Sequence, residues 1–219
     1  MDKLHKAGKF VRLGLSNFTA FEVAEVVITC KYNGWIRPTI YQGIYNFITR
    51  SIESELIPAC RRYGMDIVVY NPIAGGLFSR QIRTKDTIPQ EGRFSDVHRN
   101  GWQSRGRYFK DSTFAALDLA DETLGKFRLT MIEASLRWLM HHSALRDKNG
   151  NDGIIMGVSK VEHLRENLSY LEKGPLPNEV VKALDAAWTV VKSEVANYWH
   201  LDLNYTYDTQ QELFGEGKK

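Results

Sequence analysis

The chain opens on a strand-like run, Phe10-Val11-Arg12-Leu13-Gly14-Leu15, that ends in polar Ser16-Asn17. Apolar residues then recur at helical spacing. Phe21, Val23, Ala24, Val26, Val27 and Cys30 form a broad face, Asn17 or Thr19 can cap it, and Asn33-Gly34 stops it. A second strand opens at residues 38–43. Residues 51–63 read as an amphipathic helix with Ile52, Leu56, Ile57 and Cys60 on one side and Gly64 at its end. Met65-Asp66-Ile67-Val68-Val69-Tyr70 is a continuous apolar run, the signature of a strand in a parallel sheet covered on both faces. The order β-α-β-α-β with short connections predicts a parallel α/β fold built by right-handed crossovers.

The rhythm breaks at Asn71-Pro72-Ile73-Ala74-Gly75-Gly76. Residues 71–112 form a long loop rich in Gly, Arg and Asp, in which Trp102, Tyr108 and Phe109 argue for partial order. Helical patterning resumes over 113–126 and 129–142. A turn follows at 149–153, then a fourth strand, Ile154-Ile155-Met156-Gly157. Val158-Ser159-Lys160 leads into a helix with Val161, Leu164, Leu168 and Leu171 on one face. Asn178 is placed to cap a last helix that runs to about Trp199, and residues 201–219 read as a loose, Tyr-rich tail. Four parallel strands fit either a small open sheet with helices on both faces or half of a closed barrel. Periodicity does not choose between them.

The composition is that of a globular protein: 43% hydrophobic and 25% charged over 219 residues. That length falls short of the roughly 250 residues of a complete (β/α)8 barrel. No apolar run is long enough for a membrane span, and no signal peptide is evident, so a cytoplasmic protein without a membrane partner is expected. The formal charge of +3 is too balanced for a nucleic-acid binder. Charge is uneven, however: from Arg80 to Lys110 there are eight Lys or Arg against three Asp or Glu. Arg93, Arg99, Arg105 and Arg107 are therefore candidate contacts for an acidic or polar ligand, against the plainer reading of a solvated loop. Cys30 and Cys60 read as reduced core thiols, and no cluster has metal-ligand spacing, the adjacent His141 and His142 included.

Four segments together resemble the aldo-keto reductases. Gly8-Lys9-Phe10-Val11-Arg12-Leu13-Gly14-Leu15-Ser16-Asn17 is similar to their fifth strand and loop, and Tyr41-Gln42-Gly43-Ile44-Tyr45-Asn46 to the sixth strand. Tyr70-Asn71-Pro72-Ile73-Ala74-Gly75-Gly76-Leu77 resembles the seventh strand and phosphate loop. Gly157-Val158-Ser159-Lys160-Val161-Glu162-His163-Leu164-Arg165-Glu166-Asn167-Leu168 resembles the eighth strand and the helix that grips the adenosine phosphate. With Leu136-Arg137-Trp138-Leu139-Met140-His141-His142-Ser143, the set resembles most the aflatoxin aldehyde reductase and norsolorinic acid reductase-like subgroups. It covers nearly the whole chain, which makes residues 1–219 a single partial barrel domain: an α/β fold comprising the C-terminal half, strands five to eight, of a (β/α)8 TIM barrel.

The resemblance implies NADPH as cofactor, lying across the C-terminal ends of the strands. Ser16, Asn17 and Gln42 would meet the nicotinamide carboxamide, and Tyr70 would stack on the ring. The backbone of Asn71, Pro72, Ile73, Gly75 and Leu77 would wrap the pyrophosphate. Gly157 precedes Ser159 and Lys160, which would meet the 2′-phosphate at a helix N-terminus. His163, Glu166 and Asn167 would contact phosphate or adenine. Each residue alone has a plainer role, as cap, strand-end amide, core aromatic or turn; the shared order carries the reading.

The family's activity is reduction of a small-molecule carbonyl, an aldehyde or ketone, to an alcohol. Subgroup analogy adds fungal secondary metabolism. A tyrosine proton donor, a lysine–aspartate pair and a histidine belong to the barrel's early strands. None of the four maps onto this chain, which begins just before the fifth strand. The expectation is therefore a truncated form without carbonyl reduction of its own. Its exposed sheet, including inward-facing Val11, Leu13 and Val69, would need self-association or a complementing barrel half. The alternative is a non-catalytic NADP-binding or regulatory fragment similar to the potassium-channel β-subunits.

Overall fold

The computed structural model describes residues 1–146, 150–199, 203–206 and 208–215. Four parallel strands, β1 (Gly14–Ser16), β2 (Ile40–Ile44), β3 (Asp66–Tyr70) and β4 (Gly153–Ile154), lie side by side in chain order. A doubly wound sheet reverses its strand order at a switch point, and these four strands contain no such reversal. Ser16 pairs with Gln42 and Gln42 with Val68, while Val69 pairs with Ile154. The α/β class and parallel sheet thus stand as the periodicity predicts.

The helices are α1 (Asp2–Lys6), α2 (Ala20–Asn33), α3 (Leu56–Arg62), α4 (Gly101–Tyr108), α5 (Asp111–Lys126), α6 (Met131–His141), α7 (Val161–Leu171), α8 (Asn178–Val191) and α9 (Thr209–Phe214). Thr19, rather than Asn17, caps α2. Its hydroxyl accepts the Glu22 N–H, and the Glu22 carboxylate accepts the Thr19 N–H at 2.7 Å. Gly34 closes the helix in the left-handed conformation. The core follows one side of the sheet, where Leu15, Tyr41, Ile67 and Val69 meet Val23, Cys60, Leu117, Trp138 and Leu184. Cys30 and Cys60 are free and buried.

Several expectations are corrected. Val69 points into the helix layer and is fully buried, so it does not face a barrel interior. Side chains alternate along a strand, and the bare face therefore carries Ser16, Gln42, Val68 and Tyr70. Val11 is 86% exposed and lies outside β1, which begins only at Gly14; Arg12 instead reaches Asp66 at 2.5 Å. The helix expected over 51–63 starts at Leu56, after a series of turns. α8 begins at Asn178, with Pro177 in the cap position, and stops at Val191 rather than near Trp199.

In α7, Val161 and Leu168 are exposed, so only part of the expected apolar face packs. The long excursion is more ordered than its composition suggests. It holds a helical turn at Ala74–Ser79 and α4, with Phe94 stacked on Phe109 at 5.2 Å. Trp102 takes no part in that packing and is 71% exposed. Asn149, part of the expected turn, lies outside the described residues, as do 201, 202, 207 and 216–219 of the tail. The described part of the tail includes α9, capped by Asp208.

Candidate functional site

The C-terminal ends of β1, β2 and β3 bring the first group of candidate residues together. Ser16 and Gln42 are register partners on the bare face, and Tyr70 lies on the same face one step further along β3. Asn17 follows Ser16 in the left-handed conformation, φ 64°, and its side-chain oxygen accepts from the Tyr70 hydroxyl at 3.4 Å. That contact links the ends of β1 and β3, and the Tyr70 ring is half-buried beside a cleft.

Beyond Tyr70 the chain turns sharply. Asn71 has φ 65°, and its carbonyl accepts the Ala74 N–H at 3.0 Å. The Ile73 carbonyl accepts the Gly76 N–H at 2.9 Å. Ala74, Gly75 and Gly76 all have positive φ, so peptide groups rather than side chains line the bend. A β-carbon on Gly75 would sit 2.9 Å from Arg93 Cδ, whereas one on Gly76 would meet nothing within 4 Å. The bend is thus backed by protein at Gly75 and open at Gly76. Pro72 and Leu77 are buried, and Ser135 donates to the Pro72 carbonyl at 2.7 Å. Leu77 therefore contributes backbone alone, its side chain belonging to the core.

Alongside lies a solvent-open cleft bounded by Tyr70, Asn71, Gly75, Arg93, Phe94 and Arg107 among others. This separates the four candidate arginines. Arg105 is committed, with one arm on Asp96 at 2.5 Å and another on the Phe94 carbonyl. Arg93 and Arg107 border the cleft with no carboxylate partner among the described residues, and Arg99 is not part of its lining.

The second group is carried by the β4–α7 segment. Gly157, Ser159, Lys160, His163 and Glu166 are exposed, while Asn167 is buried. Lys160 occupies the N-cap position of α7 in extended conformation. Its side chain has no hydrogen-bond or ion-pair partner among the described residues. Four unsatisfied N–H groups at a helix start, beside an unpaired ammonium, favour a phosphate. Glu166 is already engaged, accepting the Tyr170 hydroxyl at 2.6 Å.

This segment is placed by a buried ion pair that the sequence reading missed. Asp152, just before β4, takes both arms of Arg61 from α3, one at 2.9 Å, and accepts the Ile67 N–H of β3 at 2.7 Å. Burial opposes the carboxylate charge, but Arg61 and the Arg146 and Ile67 amides outweigh it and hold the pKa below its ordinary value. Arg61 and Ile67 are 91 and 85 residues away in sequence, so no local signal announces them. Among the described residues, no group of three His, Cys, Asp or Glu side chains is arranged to hold a metal ion, and no helix is long and apolar enough to cross a membrane.

A sequence profile of the Aldo/keto reductase family matches residues 1–189. Aflatoxin B1 aldehyde reductase member 2 of Rattus norvegicus is 45% identical over 205 residues, covering 90% of this chain and 55% of the rat protein. Aldo-keto reductase family 7 member A3 of Homo sapiens is 43% identical over 205 residues, covering 90% of this chain and 61% of its own. Aldo-keto reductase pigE of Monascus ruber is 40% identical over 204 residues, covering 91% and 59%. The chain thus spans little more than half the length of these relatives.

Proposed function

The chain belongs to the Aldo/keto reductase family, and from that premise we propose that it supplies the cofactor side of an NADPH-dependent reduction of aldehydes or ketones to alcohols. The observation that carries this reading is the convergence of Ser16, Gln42, Tyr70 and the bend after Asn71 at one end of a parallel sheet. In this reading the four strands are the last four of an eight-stranded barrel. Sheet order that follows chain order, and a sheet that buries one face, support it. The proton donor and its partners then stand on the other four strands, and no residue of this chain is assigned that role.

The residues present fit a nicotinamide dinucleotide. Asn17 accepts from the Tyr70 hydroxyl, and the half-buried ring beside the cleft would stack on a planar heterocycle. Ser16 and Gln42 offer a hydroxyl and an amide on that face to orient a carboxamide. The left-handed run at residues 74–76 presents backbone where a pyrophosphate needs close approach. Ser159 and Lys160 at the start of α7 would receive a 2′-phosphate. When bound, the reduced nicotinamide supplies the hydride. Arg93 and Arg107, unneutralised beside Tyr70, favour a carbonyl substrate that carries a polar or anionic substituent.

Titration of the full chain with NADPH, followed by cofactor fluorescence, tests the reading. Saturation in the micromolar range is expected, with NADH weaker. Lys160→Ala should weaken NADPH about three- to fivefold, the scale of one exposed charge contact, and leave NADH within about twofold. No change up to millimolar NADPH, or equal losses for both cofactors, refutes it.

A further inference from the structure

Asn71 begins the bend after β3 in a left-handed conformation that non-glycine residues adopt at a cost, asparagine least among them. Two side-chain hydrogen bonds tie it there, and a third joins their partners. Its side-chain amide donates to the Tyr108 hydroxyl at 2.7 Å. The Asn46 amide donates both to the Asn71 carbonyl at 3.0 Å and to the same Tyr108 hydroxyl at 3.3 Å. Asn46 and Tyr108 are buried, and burial keeps the Tyr108 hydroxyl in its neutral form. Tyr108 closes α4 within the long excursion, 37 residues beyond Asn71, and its ring packs edge-on against Phe94. The excursion therefore reaches back and grips the first residue of the bend, through a hydroxyl rather than through ring packing alone.

We propose that Tyr108 is a positioning residue for cofactor binding: its hydroxyl, with Asn46, holds Asn71 left-handed and so fixes the backbone cradle of residues 71–77. The proposal rests on the reading that this cradle receives the cofactor's pyrophosphate. Tyr108 lines the wall of the adjacent cleft and acts on the cradle through Asn71. Without its hydroxyl, the half-buried Asn71 amide loses its acceptor, and the buried Asn46 amide keeps only the Asn71 carbonyl. The turn that the Ala74 and Gly76 amides close, onto the Asn71 and Ile73 carbonyls, is then free to relax.

Tyr108→Phe keeps the ring and removes the oxygen. In the ligand-free full chain, hydrogen exchange at Ala74 and Gly76 should quicken about tenfold or more, while β3 amides such as Val68 keep their protection. NADPH affinity should fall about tenfold at a temperature well below unfolding. In an Asn71→Gly background, where glycine adopts the left-handed conformation unaided and carries no side-chain amide, Tyr108→Phe should change affinity less than twofold further. A purely structural tyrosine would give additive losses instead. Additive losses, or unchanged exchange at Ala74 and Gly76, overturn the proposal, as does NADPH binding within twofold of the unmodified chain. Failure of the unmodified chain to bind NADPH refutes the cofactor reading, and the proposed effect on binding falls with it.

Discussion

Replacing Asp152 by alanine removes the junction between α3, β3 and β4. The side chain is only 1% exposed, and Arg61 opposite it is 18% exposed. Alanine leaves that guanidinium without its counter-ion in a largely buried setting, at a cost of about 3–5 kcal/mol. The Ile67 N–H, which donates to Asp152 at 2.7 Å, loses its acceptor and pushes the value toward the upper end. Against a total stability of about 5–15 kcal/mol this is a large fraction. For a chain of this length it lowers the melting temperature by roughly 6–20 °C. Arg61→Met should cost less, about 1.5–3 kcal/mol, because Asp152 keeps the Ile67 and Arg146 amides. The double variant should lose less than the sum of the two, since no orphaned charge remains.

Thermal unfolding followed by circular dichroism reads all three variants. The pH dependence is a second check. The folded pKa of Asp152 lies below its ordinary 3.8, so its stabilisation is complete above that value and fades as pH falls through the lower folded pKa. The gap between the unmodified chain and Asp152→Ala should therefore narrow only below about pH 3.8. The reasoning is refuted if Arg61→Met costs as much as Asp152→Ala, if the two losses add, or if the gap already narrows well above that pH.

Two further substitutions test local geometry. Gly75→Ala places a β-carbon 2.9 Å from Arg93 Cδ at φ 68°; a loss of about 1–2 kcal/mol is expected in denaturant unfolding, with weaker NADPH binding, and an unchanged midpoint would show that the bend relaxes freely. Thr19→Ala removes half of the capping box of α2 and should cost about 1 kcal/mol, a few degrees in melting temperature, with cofactor binding unaffected. A loss of NADPH affinity there would contradict a purely structural role for the cap.

Features coded locally were legible in the chain. The helix stop at Gly34, the apolar run that becomes β3 and the glycine pair of the bend each depend on neighbours a few residues away. The order of motifs was enough for the family, because Ser16-Asn17, Gln42, Tyr70-Asn71 and Ser159-Lys160 fall in one sequence of βα units. Boundaries fared worse. Val11 and Leu13 have strand propensity but lie outside β1, Leu13 giving its carbonyl to the Thr39 N–H, and Ile52 is core without being helical.

The sequence by itself determined the parallel α/β class, the run of βα units and the identity of the polar residues at the strand ends, since these rest on spacing and backbone preference. Tertiary structure alone decided which face of the sheet is buried, because a period of two states that faces alternate without saying which one packs; Val69 falls inward toward the helices and Gln42 outward. It also decided which arginines are spent on Asp96 or Asp152 and which remain unpaired at the cleft. Tyr108 meets Asn71 and Asp152 meets Arg61 only after the intervening chain has folded, and no local pattern records a contact made across 37 or 91 residues.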